Sequence, residues 1–276
     1  MAESLKRQTD SGGVMSGSMA SGGEGGMNEG RAHEPLEDRI QVGRCVMLYD
    51  PSLVGNFDPR WFEPEHWSRT GALRGEAPGR GSTLFFEAEG AGYALRHYRR
   101  GGLVAAVLGD RYLNVGESRS RPFREFRVIQ RLQRLGLPVA PVVAALHEPR
   151  TLWCRGDLIT RRLVGVSTLA ERLTRAPDSI DWSGVGATIA RFHRVGLHHA
   201  DLNAHNLLVD DAGQWSLIDF DRASFRDPGL WCDANLVRLR RSILKILDSL
   251  NARLDEALWA TLLQSYREGR SRGGSL

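Results

Sequence analysis

The sequence predicts an α+β protein of two lobes, and three observations carry that expectation. Strand-like alternation dominates residues 40–100, and helical periodicity dominates residues 180–265. Between them, one amphipathic helical pattern at 122–135 interrupts the strands. Strands gathered early and helices gathered late place an antiparallel sheet in the first lobe and a mainly helical body in the second.

Residues 1–38 are rich in Gly, Ser, Glu and Met and hold four of the five methionines, at 1, 15, 19 and 27. They lack an apolar face to bury, so a disordered N-terminal segment is expected, and a start codon further downstream is an open alternative. Order is expected from about Ile40. "VGRCVMLYDPSL" reads as a strand closed by a turn at Asp50-Pro51. "FDPRWFEPEHW" reads as a short helix or loop, its aromatics broken by prolines. "STLFFEAEGAGYALRHYRRGG" reads as strand, turn at Glu89–Gly92, and strand. Phe123, Phe126, Ile129, Leu132 and Leu135 recur at helical spacing, with Gly136 as the stop. "VVAALHE" and "GDLITRRL" read as strands. "SIDWSGVGATIARFHRVG" reads as a helix capped by Asp181 or Ser183 and ended by Gly196. A polar loop at 198–206, the strand "LLVD", the turn "DAGQ", the strand "WSLIDF" and long helices over 230–265 complete the chain. The expected boundaries are 1–38 for the N-terminal segment, 39–160 and 161–268 for the two lobes, and 269–276 for a flexible tail.

Composition narrows the class. The 276 residues are 41% apolar, and no apolar run reaches the roughly eighteen residues that span a bilayer. The N-terminus lacks the apolar centre of a secretory signal. Cys45, Cys154 and Cys232 are odd in number and lack CxxC spacing, which argues against a disulfide framework or zinc site and for a reducing compartment. The net charge is +4, and 35 of the 37 cations are arginines, Lys6 and Lys245 being the exceptions. Any phosphate-binding cation between those two lysines must therefore be arginine.

The chemistry concentrates in "HADLNAHN" (199–206) and "IDFD" (218–221). Phosphoryl transfer needs a base for the hydroxyl proton, oxygen ligands for Mg²⁺, a cation for the nucleotide phosphates and a small-residue loop to cover them. Asp201 lies in a loop where a carboxylate can be both exposed and fixed. Asn206 opens a strand, and the hairpin that follows returns Asp219 to its side, so two oxygen ligands meet. His198, Asp210 and Asp211 read as turn caps.

These spacings resemble the catalytic loop and metal-binding segment of the protein-kinase-like superfamily. The resemblance implies a bilobal protein-kinase-like fold, with a nucleotide-covering first lobe and a catalytic, acceptor-binding second lobe. It implies Asp201 as the catalytic aspartate, Asn206 and Asp219 as metal ligands, and His199 as a packing residue without chemistry. In "YALRHYRRGG", Arg96 stands where the superfamily has its phosphate-binding lysine. Arginine can fill the role as a planar fork. Glu125 stands where the acidic partner of that cation belongs; it also reads as a plain helix-surface carboxylate. Gly79 and Gly81 in "PGRGST" stand near the phosphate-covering turn, and Arg161–Leu163 at the adenine-binding hinge. Ala200, Asp221 and the short segment after it depart from regulated protein kinases.

A longer run of motifs is similar to the 3-deoxy-D-manno-octulosonic acid (Kdo) kinase family of Gram-negative bacteria: "LRHYRRGGLVAAVLGDRYL", "RPFREF", "HADLNAHNLLVD", "LIDFDR" and "ANLVRLRRSILK". That similarity, over roughly residues 40–260, implies an enzyme using ATP and Mg²⁺ to phosphorylate the 4-hydroxyl of Kdo on lipid A, in lipopolysaccharide core biosynthesis. It implies a peripheral protein at the cytoplasmic face of the inner membrane. Clustered arginines (96, 99, 100, 111, 119, 121, 124 and 127, then 238, 240 and 241) suit an anionic sugar on an anionic membrane. Arg99, Arg100, Arg238 and Arg241 are candidate acceptor contacts. Neither a nucleic-acid partner nor an obligate protein partner is expected. The alternatives are another small-molecule kinase of this fold, such as an aminoglycoside- or choline-type phosphotransferase, and a pseudokinase or arginine-rich binding module.

Overall fold

A computed structural model describes residues 37–77, 83–98, 112–113, 117, 120–149 and 153–271. Strands β1 (Asp38–Val42) and β2 (Cys45–Tyr49) form a hairpin where the sequence predicts one strand. Gly43 permits it, holding φ at +58 in the two-residue turn. Strands β3 (Leu73–Ala77), β4 (Thr83–Ala88), β5 (Ala91–His97), β6 (Tyr112–Leu113), β7 (Val142–Pro149) and β8 (Trp153–Arg161) complete one antiparallel sheet. Its order is β1-β2-β7-β8-β5-β4-β3, with β6 also on β8. The predicted turn between β4 and β5 is Glu89–Gly90, both left-handed.

One face of the sheet is covered by helix α1 (Pro64–Arg69) and the 3₁₀ turn Pro59–Phe62. Trp61, Trp67, Phe86 and Tyr93 pack there in stacked and edge-on pairs, all buried. The other face receives helix α2 (Arg121–Arg134). The predicted stripe Phe123, Phe126, Ile129 and Leu132 is buried, each side chain worth roughly 2–3 kcal/mol of transfer free energy. Leu135, expected on that stripe, is half exposed because the helix ends one residue earlier.

The second half holds α3 (Leu169–Arg175), α4 (Trp182–Arg194), α5 (Trp231–Ser249) and α6 (Glu256–Ser271). Of the two candidate caps, Asp181 caps α4, accepting from Gly184 N–H at 2.9 Å, and Ser183 lies inside the helix. Helices α4 and α6 approach so closely that a Cβ on Gly186 would lie 2.2 Å from the Leu262 carbonyl oxygen. Short strands β9 (Ser167–Thr168), β10 (Leu197–His198), β11 (Leu207–Val209), β12 (Trp215–Leu217) and β13 (Ser224–Phe225) build two small sheets, β12-β11-β9 and β10-β13. One apolar core runs from the α2 face of the large sheet into the helices.

Glu37 and Asp38, which the sequence reading leaves in the N-terminal segment, belong to the folded part. Glu37 Oε1 lies 2.8 Å from Arg127 Nη2 on α2, and Asp38 pairs with Tyr49 across the first hairpin.

Candidate active site

The polar loop 199–206 rests on α5. His199 N–H donates to Asn235 Oδ1 at 3.3 Å, and Ala204 N–H donates to Ser242 Oγ at 3.2 Å. The buried His199 ring accepts from Asp201 N–H at Nδ1 (3.3 Å) and donates from Nε2 to the Ile218 carbonyl (3.0 Å). Burial lowers its pKa, keeping it neutral in that tautomer. It pins the loop to the hairpin and takes no exposed position from which to do chemistry.

Asp201 has its carboxylate exposed while its carbonyl is held by two amides, Asn203 Nδ2 at 3.0 Å and Asn206 Nδ2 at 2.9 Å. A carboxylate so fixed can accept a proton from a hydroxyl brought to it. Asn206 has committed its NH₂ to that carbonyl, so Oδ1 is the atom left for a cation. The hairpin register Leu207↔Leu217, extended by Ile218 N–H to the Asn206 carbonyl at 3.0 Å, brings the next residue, Asp219, to the same end. Asp219 then takes φ +63, a left-handed conformation costing roughly 1–2 kcal/mol for a non-glycine residue, which turns the chain out of the strand direction.

Across from it, Arg96 on β5 places Nη1 2.6 Å from Asp219 Oδ1. The same guanidinium ion-pairs with Glu125 of α2 and donates from Nη2 to Tyr98 Oη at 3.1 Å. Tyr98 Oη in turn donates to Glu125 Oε2, and Phe220 N–H donates to Glu125 Oε1 at 3.1 Å. Burial alone would pull the Arg96 pKa down. The charges of Glu125 and Asp219 outweigh it, so Arg96 stays a cation, its pKa well above the ordinary value. Burial pushes Glu125 upward against the pull of Arg96, and burial with Glu125 pushes Tyr98 up. Glu125 is thus buried, and the helix-surface alternative for it is set aside. Tyr98 joins the site beyond the residues the sequence motifs single out; its place two residues after Arg96, on the same face of the extended chain, is the signal that points to it.

The departure at Asp221 has a partner as well. Arg121, in the first turn of α2, donates from Nε to Asp221 Oδ1 at 2.6 Å and pairs through Nη2 with Oδ2. The segment after Asp-Phe is therefore clasped to α2 through Asp221 and through the Phe220 amide.

The arginine cluster resolves into separate duties. Arg121 and Arg127 hold carboxylates of their own chain, so they are not the open anion-binding surface the sequence suggests. Arg99, Arg100, Arg111 and Arg119 lie outside the described residues, as do Gly79 and Gly81. Arg238 reaches Asp201, Nη1 to Oδ1 3.3 Å, and Arg241 is exposed on the same helix. Arg240 pairs with Glu256 at 2.5 Å. At the hinge, Arg161 N–H is committed to the Pro141 carbonyl (2.7 Å) and Arg162 N–H to the Gly92 carbonyl (2.9 Å). The Arg161 side chain packs over Tyr93 and donates to the Leu53 carbonyl at 2.8 Å. Leu163 is left as the residue of that stretch whose amide the sheet does not use. An open cavity of about 330 Å³ beside Gly165, Ser167, Arg172 and Asp211 shares no residue with the Asp201 site. Among the described residues no cluster of three or more His, Cys, Asp or Glu side chains forms a metal cage.

Comparisons with known proteins bear on the family and the fold. The lipopolysaccharide kinase (Kdo/WaaP) family model matches residues 64–266. A 3-deoxy-D-manno-octulosonic acid kinase of Stenotrophomonas maltophilia (strain K279a) is 40% identical over 232 residues, covering 84% of this chain and 93% of that protein. The kinase of the same name from Xylella fastidiosa (strain M23) is 43% identical over 202 residues, covering 73% and 81%. Among solved structures, WaaP in complex with acyl carrier protein superposes with a TM-score of 0.51 at 20% identity, covering 76% of this chain and 85% of that one, which shows a shared fold. The chain belongs to the lipopolysaccharide kinase (Kdo/WaaP) family.

Proposed function

We propose that the protein transfers the γ-phosphoryl group of ATP to the 4-hydroxyl of Kdo on Kdo–lipid A, in lipopolysaccharide core biosynthesis. The observation that carries this reading is the gathering of Asp201, Asn206 and Asp219 by one loop and one hairpin, opposite the Arg96–Glu125 pair. Asp201 is the base that receives the hydroxyl proton. Arg96, oriented by Glu125, holds nucleotide phosphates through its planar fork. Asn206 Oδ1 and the Asp219 carboxylate are hard oxygen donors and would hold Mg²⁺, which when bound supplies charge neutralisation to the phosphates. The Leu163 amide suits the adenine edge, and Gly79 and Gly81 the phosphates.

On the acceptor side, Arg238 and Arg241 suit the sugar carboxylate, with Arg99 and Arg100 as further candidates. Arg238 already touches the proposed base, so an acceptor carboxylate that engages it would come to rest beside Asp201. Among the described residues no helix is long and apolar enough to cross a membrane. A peripheral position at the cytoplasmic face of the inner membrane is part of the proposal, since the acceptor is lipid-linked.

Competition between acceptors tests this reading. The protein, given labelled ATP and Mg²⁺, should label Kdo–lipid A and leave aminoglycosides, choline and protein unlabelled. Preferential labelling of an aminoglycoside or of choline would replace it with the rival small-molecule kinase reading.

A further inference from the structure

We infer that the outer face of α5 docks on an anionic lipid surface and thereby presents the Asp201 site to acceptors anchored there. The inference rests on the lipid-linked acceptor proposed above. Helix α5 buries Cys232, Asn235, Leu236, Leu239, Ile243 and Leu247, at the spacing of one inward face. What remains is not the usual polar outer face. Leu230, the capping residue just before the first turn, is 88% exposed, Val237 56% and Leu244 39%, and they recur every seven residues. Seven residues make nearly two turns, so these side chains form one line about 21 Å long.

Beside that line run Arg238, Arg241 and Lys245, all exposed. Between Val237 and Lys245 the exposed positions carry no acid; Asp233 and Asp248 stand at the two ends. Among the described residues, neither Arg241 nor Lys245 makes an ion pair. An apolar line flanked by cations on one face is the arrangement of a helix lying in a membrane interface, its apolar side chains entering the headgroup boundary and its cations meeting lipid phosphates. The spacing also favours a planar partner. The apolar residues stand singly over several turns, spread along a line rather than gathered in one spot.

The face is mechanically continuous with the site. Arg238 belongs to it and reaches Asp201 at 3.3 Å. Asn235 and Ser242, from the inner side of the same helix, hold His199 and Ala204 of the polar loop. Fixing α5 against a bilayer therefore fixes the orientation of the loop towards the lipid headgroups.

The test uses the full chain and sedimentation with vesicles of phosphatidylcholine alone or with about one-third phosphatidylglycerol. The wild type should bind the anionic vesicles and not the neutral ones. The triple variant L230S/V237S/L244S, altered only at exposed positions, should lose anionic-vesicle binding by about tenfold or more. It should also lose phosphorylation of vesicle-borne acceptor while keeping wild-type transfer to lipid-free Kdo. A triple variant that binds vesicles as the wild type does would overturn the inference. So would protection of this face by an acidic carrier protein but not by vesicles. Failure of the wild type to phosphorylate lipid-free Kdo and Kdo–lipid A alike would instead count against the proposed reaction and leave the vesicle result standing. Should the triple variant fold poorly, a polarity-sensitive label on Val237→Cys in a Cys45→Ala background gives an independent reading. It should shift to the blue with anionic vesicles, whereas the same label on Val42→Cys should not. No shift at position 237 would overturn the inference.

Discussion

Arg96 and Asp219 stand 123 residues apart in sequence and 2.6 Å apart in space, Nη1 to Oδ1. The same guanidinium holds Glu125, so one cation joins the sheet, α2 and the hairpin end. If Arg96 serves ATP phosphates, Arg96→Ala should raise the Michaelis constant for ATP about thirtyfold or more, equivalent to about 2 kcal/mol. Arg96→Lys should be only partly tolerated, because a compact ammonium cannot meet both carboxylates as a fork does. Glu125→Gln should raise the same constant and leave that for the acceptor unchanged. Steady-state kinetics with each substrate varied in turn would check this, with exposed Arg124→Ala as the surface control. Equal and mild effects at Arg96 and Arg124 would remove the phosphate role.

The clasp between Arg121 and Asp221 should be measurable as a coupling. Both side chains are partly buried, so their interaction is expected to be worth about 1 kcal/mol. Asp221→Gly, which restores the residue common in regulated kinases, should lower stability and turnover together. In a double-mutant cycle, Arg121→Asp with Asp221→Arg should recover part of what either reversal loses. Strict additivity of the melting-temperature changes would mean that the clasp contributes nothing.

At the N-terminus, the boundary can be set to a residue. A chain beginning at Glu37 should melt and turn over like the full-length protein. A chain beginning at Arg39 loses the Glu37–Arg127 pair and the first residue of β1, and should melt lower by an amount equivalent to about 1 kcal/mol. Identical melting of the two shorter chains would show the Glu37 contact to be idle.

Much of the fold was legible because its long elements carry periodicity. Phe123–Leu132 announced α2, and Asp181 announced α4 by its cap. Two-residue strands such as β9 and β13 carry no period and exist only through pairing. Helix α3 was readable but missed. Thr168 and Glu171 form a capping box, Glu171 N–H to Thr168 Oγ1 3.0 Å, and the Thr-x-x-Glu signature stands in the sequence. At the site, the loop and hairpin residues were legible because their spacing is local. The Arg121–Asp221 clasp and the Arg238–Asp201 contact were not. Each joins segments whose approach is decided by packing across tens of residues.

Acid should unfold the protein partly through His193. Buried between Tyr266 Oη at 2.8 Å and Asn235 Oδ1 at 3.3 Å, its pKa is lowered to about 4, chiefly by burial. A depressed folded-state value means that the neutral ring stabilises the fold fully above the ordinary value near 6.5. That contribution is lost as pH falls through about 4, a change of roughly 3 kcal/mol. The stability gap between the wild type and His193→Gln should therefore narrow from pH 7 to pH 4. A gap that stays constant across that range, by chemical denaturation, would assign the acid sensitivity elsewhere.

The decisive residue is Asp201. Single-turnover transfer of labelled γ-phosphate to Kdo–lipid A, compared between the wild type and Asp201→Asn at saturating ATP, isolates its role. The asparagine keeps the shape and the backbone contacts with Asn203 and Asn206 but cannot take the hydroxyl proton. The rate should fall by about 10²–10⁴-fold with ATP affinity nearly unchanged. A variant that phosphorylates Kdo–lipid A at close to the wild-type rate would contradict the assignment of Asp201 as the base.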